Sequence, residues 1–364
     1  VTGLRLLADD LTGALDASAP FAAGRAPITV AWLFQAMEED GPWPSLSPEI
    51  AAHAALSSAS RDLPHAAAVA RVQHLSQWLA DGSPAFKKID SLLRGNTAAE
   101  IVAAHRFGRF ERTVVCPAFP AQGRLVRGGR LIVRTASGDE EEGPDLSRML
   151  QGAGAATGLT VCDAADDAAL EALVEAHRGD RAVLWAGSSG LARALAGDTP
   201  TLPMPRAERI LVVTASRHPV AQAQIAALRC ENPERVLHDD GDTDPRVLGQ
   251  RATAQLASGE SVVLDAAPAS TTDAAASRMS RCFAELRAAP KPDLLAVIGG
   301  DTLASLLAAL GCSLLSVRGE IAPGLPLAGL VDGVWAGTQL LSRSGAFDDG
   351  GTIAGALAAT TTGS

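Results

Sequence analysis

The chain has 364 residues, too many for one ordinary core, so two domains are expected. Its residues are 47% hydrophobic and 20% charged, the balance of a folded soluble protein. A net charge of -10 argues against nucleic acid or a membrane surface as the main partner, but a local basic cluster could still hold a small anion.

The opening residues do not read as a signal peptide, and no apolar run reaches membrane length. Five scattered cysteines, Cys116, Cys162, Cys230, Cys282 and Cys312, form no C-x-x-C pair. Reduced thiols in a cytoplasmic chain are expected.

In chain order, residues 3–8 read as a buried strand ended by Asp9-Asp10, with a helix to residue 21. Ligands of open α/β sheets sit off the carboxyl ends of strands, which puts both acids in reach of chemistry; the plainer alternative is that one caps the helix. Strands are expected at 27–34 and 53–58, with a polar loop over 38–48 and Arg61 just past the second strand. A helix over 63–80 leads to Ala85-Phe86-Lys87-Lys88-Ile89-Asp90-Ser91-Leu92-Leu93-Arg94-Gly95-Asn96, a strand running into a charged turn. Two of the chain's three lysines stand here together, although nearly all its other positive charge is arginine. That suits a point charge that a guanidinium fork cannot replace, facing a small polar anion. A helix follows near Asn96-Thr97. A strand at 113–116 stops at a rigid proline loop, 117–124, and the acidic stretch 138–145 reads as a loop. A short helix to about 150, a strand at 159–162, a helix at 168–177 and a strand at 182–186 complete this half. Gly187-Ser188-Ser189-Gly190 then opens a helix, either as an anion seat or as a serine-capped tight turn.

Three prolines between Pro200 and Pro205 mark a linker over 199–206, dividing the chain into domains 1–198 and 207–364. The second half repeats the alternation. Strands are expected at 209–213, 235–238, 261–264, 294–298 and 314–317, and helices to residues 229 and 310. The fold class is therefore α/β, two domains each with a mostly parallel sheet flanked by helices. Gly299-Gly300-Asp301-Thr302 closes one strand and opens a helix, where a ligand can approach bare backbone; Ser216 stands in a similar turn.

Generic motifs fail. There is no P-loop sequence, no G-x-S-x-G elbow and no metal-ligand spacing among the seven histidines. Gly152 to Gly158 has its third glycine one residue late and precedes a strand, which disfavours a nicotinamide dehydrogenase. Asp9-Asp10-Leu11-Thr12 lacks the Asp-x-Asp-x-Thr of the haloacid dehalogenase phosphatases.

The combination resembles the four-carbon acid sugar kinases, formerly a domain of unknown function, which include 3-oxo-tetronate, threonate and erythronate kinases. Leu7 to Ala14 is similar to the family's amino-terminal motif. Lys87 to Gly95 matches its most specific motif, with Leu92 where threonine is usual. Pro117 to Arg124 fits its proline loop. Ser216 with Pro219 and Gln224, Gly299 to Thr302, Glu320 with Pro323-Gly324, and Ser344-Gly345 with Phe347 follow in order. The resemblance implies an ATP-dependent kinase, with Mg²⁺ travelling on ATP and an active site in the cleft between an acid-binding first domain and a nucleotide-binding second one. Asp10, Arg61, Lys88, Ile89, Asp90, Ser91 and Arg94 would line the acid site. Ser216, Gly299, Gly300, Asp301, Thr302 and Gly345 would hold ATP. One of Asp9, Asp10 or Asp90 would take the hydroxyl proton, and Lys88 would neutralise charge. The departures are Ala215 for glycine, Arg343 for lysine, and an altered segment at 135–144. They support the alternative of a non-catalytic sugar-acid-binding or regulatory protein on the same fold. The partners expected are a small sugar acid and ATP; the particular acid is left open, as is the oligomeric state, a homo-oligomer included.

Overall fold

A computed structural model describes residues 3–32, 53–135, 137–155, 157–180, 182–266, 272–345 and 351. The polar loop expected over 38–48, the end of the strand expected at 27–34, and Phe347 lie outside these residues. The chain divides into two compact units, Val1–Pro200 and Thr201–Ser364.

In the first unit, strands β1 (Arg5–Ala8), β2 (Ile28–Trp32), β3 (Ala54–Ser57), β4 (Ala85–Lys88), β5 (Arg112–Cys116), β9 (Leu159–Val161) and β10 (Val183–Gly187) form the main sheet. They lie in the order β2-β3-β1-β4-β10-β5-β9, and every neighbouring pair is parallel. Such strands are covered on both faces, which is why β1 and β4 read as short unbroken buried runs. Helices α1 (Leu11–Ala22), α5 (Asp167–Ala176) and α6 (Ser189–Ala196) pack together. So do α2 (His65–Ala80), α3 (Thr97–Gly108) and α4 (Leu146–Gly152). Asp10 caps α1 by accepting from the Gly13 N–H at 3.0 Å. The chain leaves β1 toward β3 and β2, then crosses back to β4. The strand order thus reverses between β1 and β4, whose carboxyl ends carry Asp9-Asp10 and Ile89-Asp90.

The acidic stretch expected as a loop is in fact partly strand. β6 (Arg124–Arg127), β7 (Arg130–Arg134) and β8 (Glu140–Asp145) make a separate antiparallel sheet. Gly128 and Gly129 both have positive φ, 58° and 71°, and so turn β6 into β7 in two residues. Glu140 lies within salt-bridge distance of Arg127 and Arg134, so charge pairing across the strands offsets the low strand preference of an acidic run.

The second unit repeats the plan. β11 (Ile210–Thr214), β12 (Val236–His238), β13 (Val262–Asp265) and β14 (Leu294–Ile298) lie in the order β12-β13-β11-β14. The sheet continues through β17 (Gln339–Arg343), β16 (Leu325–Leu330) and β15 (Leu314–Ala322). Pairing is parallel as far as β17 and antiparallel at β16. Helices α7 (Pro219–Glu231), α8 (Pro245–Ala257), α9 (Thr272–Glu285) and α10 (Gly300–Leu310) flank it. Here the order reverses between β11 and β14, beside Ser216 and Gly299. Part of the linker is docked on this unit: Leu202 and Met204 pack on the core that contains Ile210, Val212 and Leu341, and the Leu202 N–H donates to the Glu320 carbonyl at 2.7 Å.

Candidate functional site

At the reversal point of the first unit, the turn after β3 bends under Asp9. The Ser60 and Arg61 N–H groups donate to the Asp9 carbonyl at 2.9 and 3.3 Å, and Ala59 takes a left-handed φ of 47°. This aims Arg61 across two adjacent carboxylates. Its Nε and Nη2 donate to Asp9 at 2.8 and 3.0 Å, and its Nη1 and Nη2 to Asp10 at 2.9 and 2.8 Å. Its Nη2 also lies 3.6 Å from Asp90 Oδ1. Gly95 is required here, because a Cβ would come within 2.6 Å of the Arg61 carbonyl oxygen. Asp90 in turn accepts from Arg94 Nε and Nη2 at 2.9 and 2.7 Å, and from the N–H groups of Leu92 and Arg94, both at 3.1 Å.

Burial opposes ionisation of Asp9, but Arg61, Lys87 and Lys88 together outweigh it and hold its carboxyl below the ordinary value. Burial is likewise overcome at Asp90, by Arg94, Arg61 and Lys88, which keep it ionised far into acid. Arg61 is held protonated: two carboxylates more than offset its burial.

The paired lysines separate by strand alternation. Lys88 lies over the first turn of α1, where a Cβ on Gly13 would stand 3.0 Å from its Nζ, and it donates to the Ile89 carbonyl at 2.9 Å. Ile89 is buried, with its N–H on the Gly187 carbonyl, so it contributes backbone to this turn; Ser91 is buried beside it. Lys87 goes the other way. Fully buried, it meets Glu100 of α3 at 2.9 Å, and Glu100 accepts from Ser60 Oγ at 2.7 Å. Ser60 adjoins Arg61, Arg61 binds Asp9, and Asp9 feels the charge of Lys87, which closes a ring beneath the guanidinium. Lys87 is therefore a supporting charge tied to Glu100, while Lys88 is the one of the pair whose charge acts on Asp90 and Asp16 as well as on Asp9.

Three features of this site did not stand out in the sequence. Glu100 is a lone acid inside a helix. Arg124, at the start of β6, stands close enough to Asp90 and Arg94 to feel both charges. Asp16 of α1 accepts a hydrogen bond from Ser189 Oγ. At Gly187–Gly190, the capped-turn reading holds: Ser188 Oγ accepts from the Gly190 N–H at 3.2 Å and donates to the Ala118 carbonyl at 2.6 Å.

In the second unit, Ser216, Gly299, Thr302 and Gly345 converge at the ends of β11, β14 and β17. Thr302 Oγ1 accepts from the Ala215 N–H at 3.1 Å, and Thr214 Oγ1 accepts from the Ser216 N–H at 3.1 Å. Gly299 has a φ of 108°, and a Cβ there would stand 3.1 Å from Thr302 Oγ1. A Cβ on Gly345 would press on the Ser216 side chain, 3.0 Å from its Cβ. Gly300 and Asp301 begin α10, with Asp301 exposed. Arg343, a departure from the family pattern, is buried, and its guanidinium bonds the Gln224 side chain.

Two domain models match the chain, a sugar-binding N-terminal domain over residues 4–145 and a nucleotide-binding C-terminal domain over residues 211–352. A D-threonate kinase of Bordetella bronchiseptica is 30% identical over 94% of both chains. The chain belongs to the four-carbon acid sugar kinase family. Another relative in this family, the D-threonate kinase of Cupriavidus necator, is 28% identical, again over 94% of each chain. Among solved structures, a Salmonella typhimurium protein superposes with a TM-score of 0.73 at 20% identity, covering 95% of this chain and 96% of its own. A Haemophilus influenzae protein does so with a TM-score of 0.64 at 22% identity, covering 95% and 97%. These two likenesses concern the fold alone. Among the described residues, no helix is long and apolar enough to cross a membrane, and no group of three or more His, Cys, Asp or Glu is placed to hold a metal.

Proposed function

We propose that this chain is an ATP-dependent kinase that phosphorylates the terminal hydroxyl of a four-carbon sugar acid, with D-threonate, the acid named for its relatives, as the first candidate. The observation that carries the reading is the meeting of Arg61, Lys88 and Arg94 with three carboxylates at the reversal point of the first unit. Cations there suit a carboxylate, and fixed acids suit the hydroxyls of a short polyol. Lys88 is the cation with the fewest ties, one carbonyl, and so the one most able to turn toward an anion.

The second unit fits a nucleotide. Bare backbone at Gly299 and Gly345, beside Ser216 and at the first turn of α10, makes a cradle that added Cβ atoms would narrow. Ala215 keeps its N–H on Thr302, so the methyl group does not undo the turn. Mg²⁺ would ride on the phosphates, which asks few ligands of the protein. The chain's own work is positioning and charge neutralisation, the two contributions that phosphoryl transfer needs most.

A coupled assay for ADP release over a panel of tetronates and 3-oxo-tetronates tests this. Turnover with at least one acid supports the kinase. Tight acid binding with no ADP release across the panel supports the non-catalytic alternative.

A further inference from the structure

Every carboxylate that the family motif brings to the acid site is already committed. Arg61 occupies both oxygens of Asp9 and both of Asp10, and Asp10 also accepts from Thr12 Oγ1 and the Gly13 N–H. Asp90 carries four hydrogen bonds. Carboxylates held this way are weak proton acceptors.

Asp16 differs. Helix α1 is buried at every position except Thr12 and Asp16. The two stand four residues apart, so they share one face, with Asp10 at its foot bonded to Thr12. That partly open stripe runs from Asp10 through Thr12 to Asp16, beside the buried Gly13 and the Lys88 ammonium packed on it. Asp16 receives one hydrogen bond, from Ser189 at the start of α6.

Resting on the kinase reading above, we propose that Asp16, oriented by Ser189, is the carboxylate that accepts the proton of the attacking hydroxyl. In that step the hydroxyl O–H bond breaks, and its proton moves to Asp16. The freed oxygen pair forms the new O–P bond to the γ-phosphoryl group, and the bond from that phosphorus to the bridging oxygen breaks, leaving its electron pair on ADP. Four groups set the charge at Asp16. Burial raises its proton affinity, while Ser189 and Arg193 of α6 and Lys88 of β4 lower it, and Asp10 raises it slightly; the net direction is upward. The ionised, accepting form therefore fills in as pH rises through a value above that of an ordinary aspartate.

The test uses the full chain with ATP and D-threonate, following kcat against pH. Wild type should lose kcat on the acid side, through an apparent pKa above the ordinary aspartate value. Asp16→Asn should lower kcat about 10²–10⁴-fold, keep KM for D-threonate within about threefold, and abolish the acid limb. Asp16→Glu should keep the limb at reduced kcat. Ser189→Ala removes a contact that favours the ionised form, so it should move the limb to higher pH. Since Ser189→Ala keeps the carboxylate, it tests the idea even if Asp16→Asn folds poorly. Unchanged kcat and limb in these variants, with wild type active, overturn the role of Asp16 and leave the kinase reading standing. No turnover of any tetronate by wild type overturns both.

Discussion

Replacing Arg61 with alanine leaves Asp9 and Asp10 side by side without the guanidinium that binds both. The side chain of Arg61 is 14% exposed and that of Asp9 5%, so water does little to compensate. Four charge-assisted hydrogen bonds are lost, but the main cost is the uncompensated buried charge, about 3–5 kcal/mol when one partner of a buried pair is removed. For a unit of this size, each kcal/mol lowers the midpoint by about 2–4 °C, so a fall of roughly 6–20 °C is expected. The pH dependence carries a second signature. In the wild type, Asp9 lies below its ordinary value, so its contribution to stability is present at neutral pH and is lost only as pH falls through that depressed value. Arg61 is the largest influence opposing its burial. Without it the carboxyl moves up, and a group raised above its unfolded value contributes less stability as pH rises. The gap between Arg61→Ala and wild type should therefore narrow from pH 8 to pH 4.5 in denaturant titrations. A variant as stable as wild type at pH 8, or a gap that widens in acid, would refute this account of the guanidinium.

Four further outcomes follow from the same geometry. Lys88→Arg should lower kcat/KM for the acid by about 10²–10³-fold with the fold intact, since a planar fork does not reproduce the point charge that lies against the first turn of α1; near wild-type turnover would show that a point charge is not needed there. Gly345→Ala should weaken ATP binding in calorimetry at least tenfold while acid binding persists, and equal ATP affinity would move the nucleotide elsewhere. Lys87→Leu alone should cost about 3–5 kcal/mol, while Lys87→Leu with Glu100→Leu should recover most of the stability yet keep a raised KM for the acid. Recovery of both would reduce the ring under Arg61 to a fold-stabilising pair. Limited proteolysis should cut first within residues 197–201, before the docked Leu202 and Met204, and cutting at 202–205 instead would contradict the docking seen there.

The strand ends were legible because apolar runs that stop at acids or glycines mark both the end of a buried strand and the polar or bare-backbone turn after it in one signal. Asp9-Asp10 after β1, Asp90 after β4 and Gly299 after β14 are such cases. Glu100 and Asp16 were not, because a single acid inside a helix declares nothing until its partner arrives from elsewhere, Lys87 and Ser60 in one case and Ser189 in the other. The β6–β7 hairpin could have been read from Gly128-Gly129 between two apolar pairs, whereas β8 could not, because its acidic residues depend on arginines across the sheet. Helices α8 and α9 also went unread. The buried stripe of α8 is Leu248, Gly249, Ala252 and Leu256, and small residues flatten the helical pattern, although Asp244-Pro245 is a start signal. Gly249 is small for a reason, since a Cβ there would stand 2.9 Å from the Glu285 side chain of α9.

The most direct test of the central claim is the product itself. The purified chain, incubated with ATP, Mg²⁺ and D-threonate or its tetronate isomers, should yield one acid heavier by a single phosphoryl group, with phosphorus-31 coupling to the terminal carbon's protons. Phosphate on an internal hydroxyl would contradict the proposed regiochemistry. ATP left intact with every acid, in a protein that still binds both ligands, would contradict the kinase account altogether.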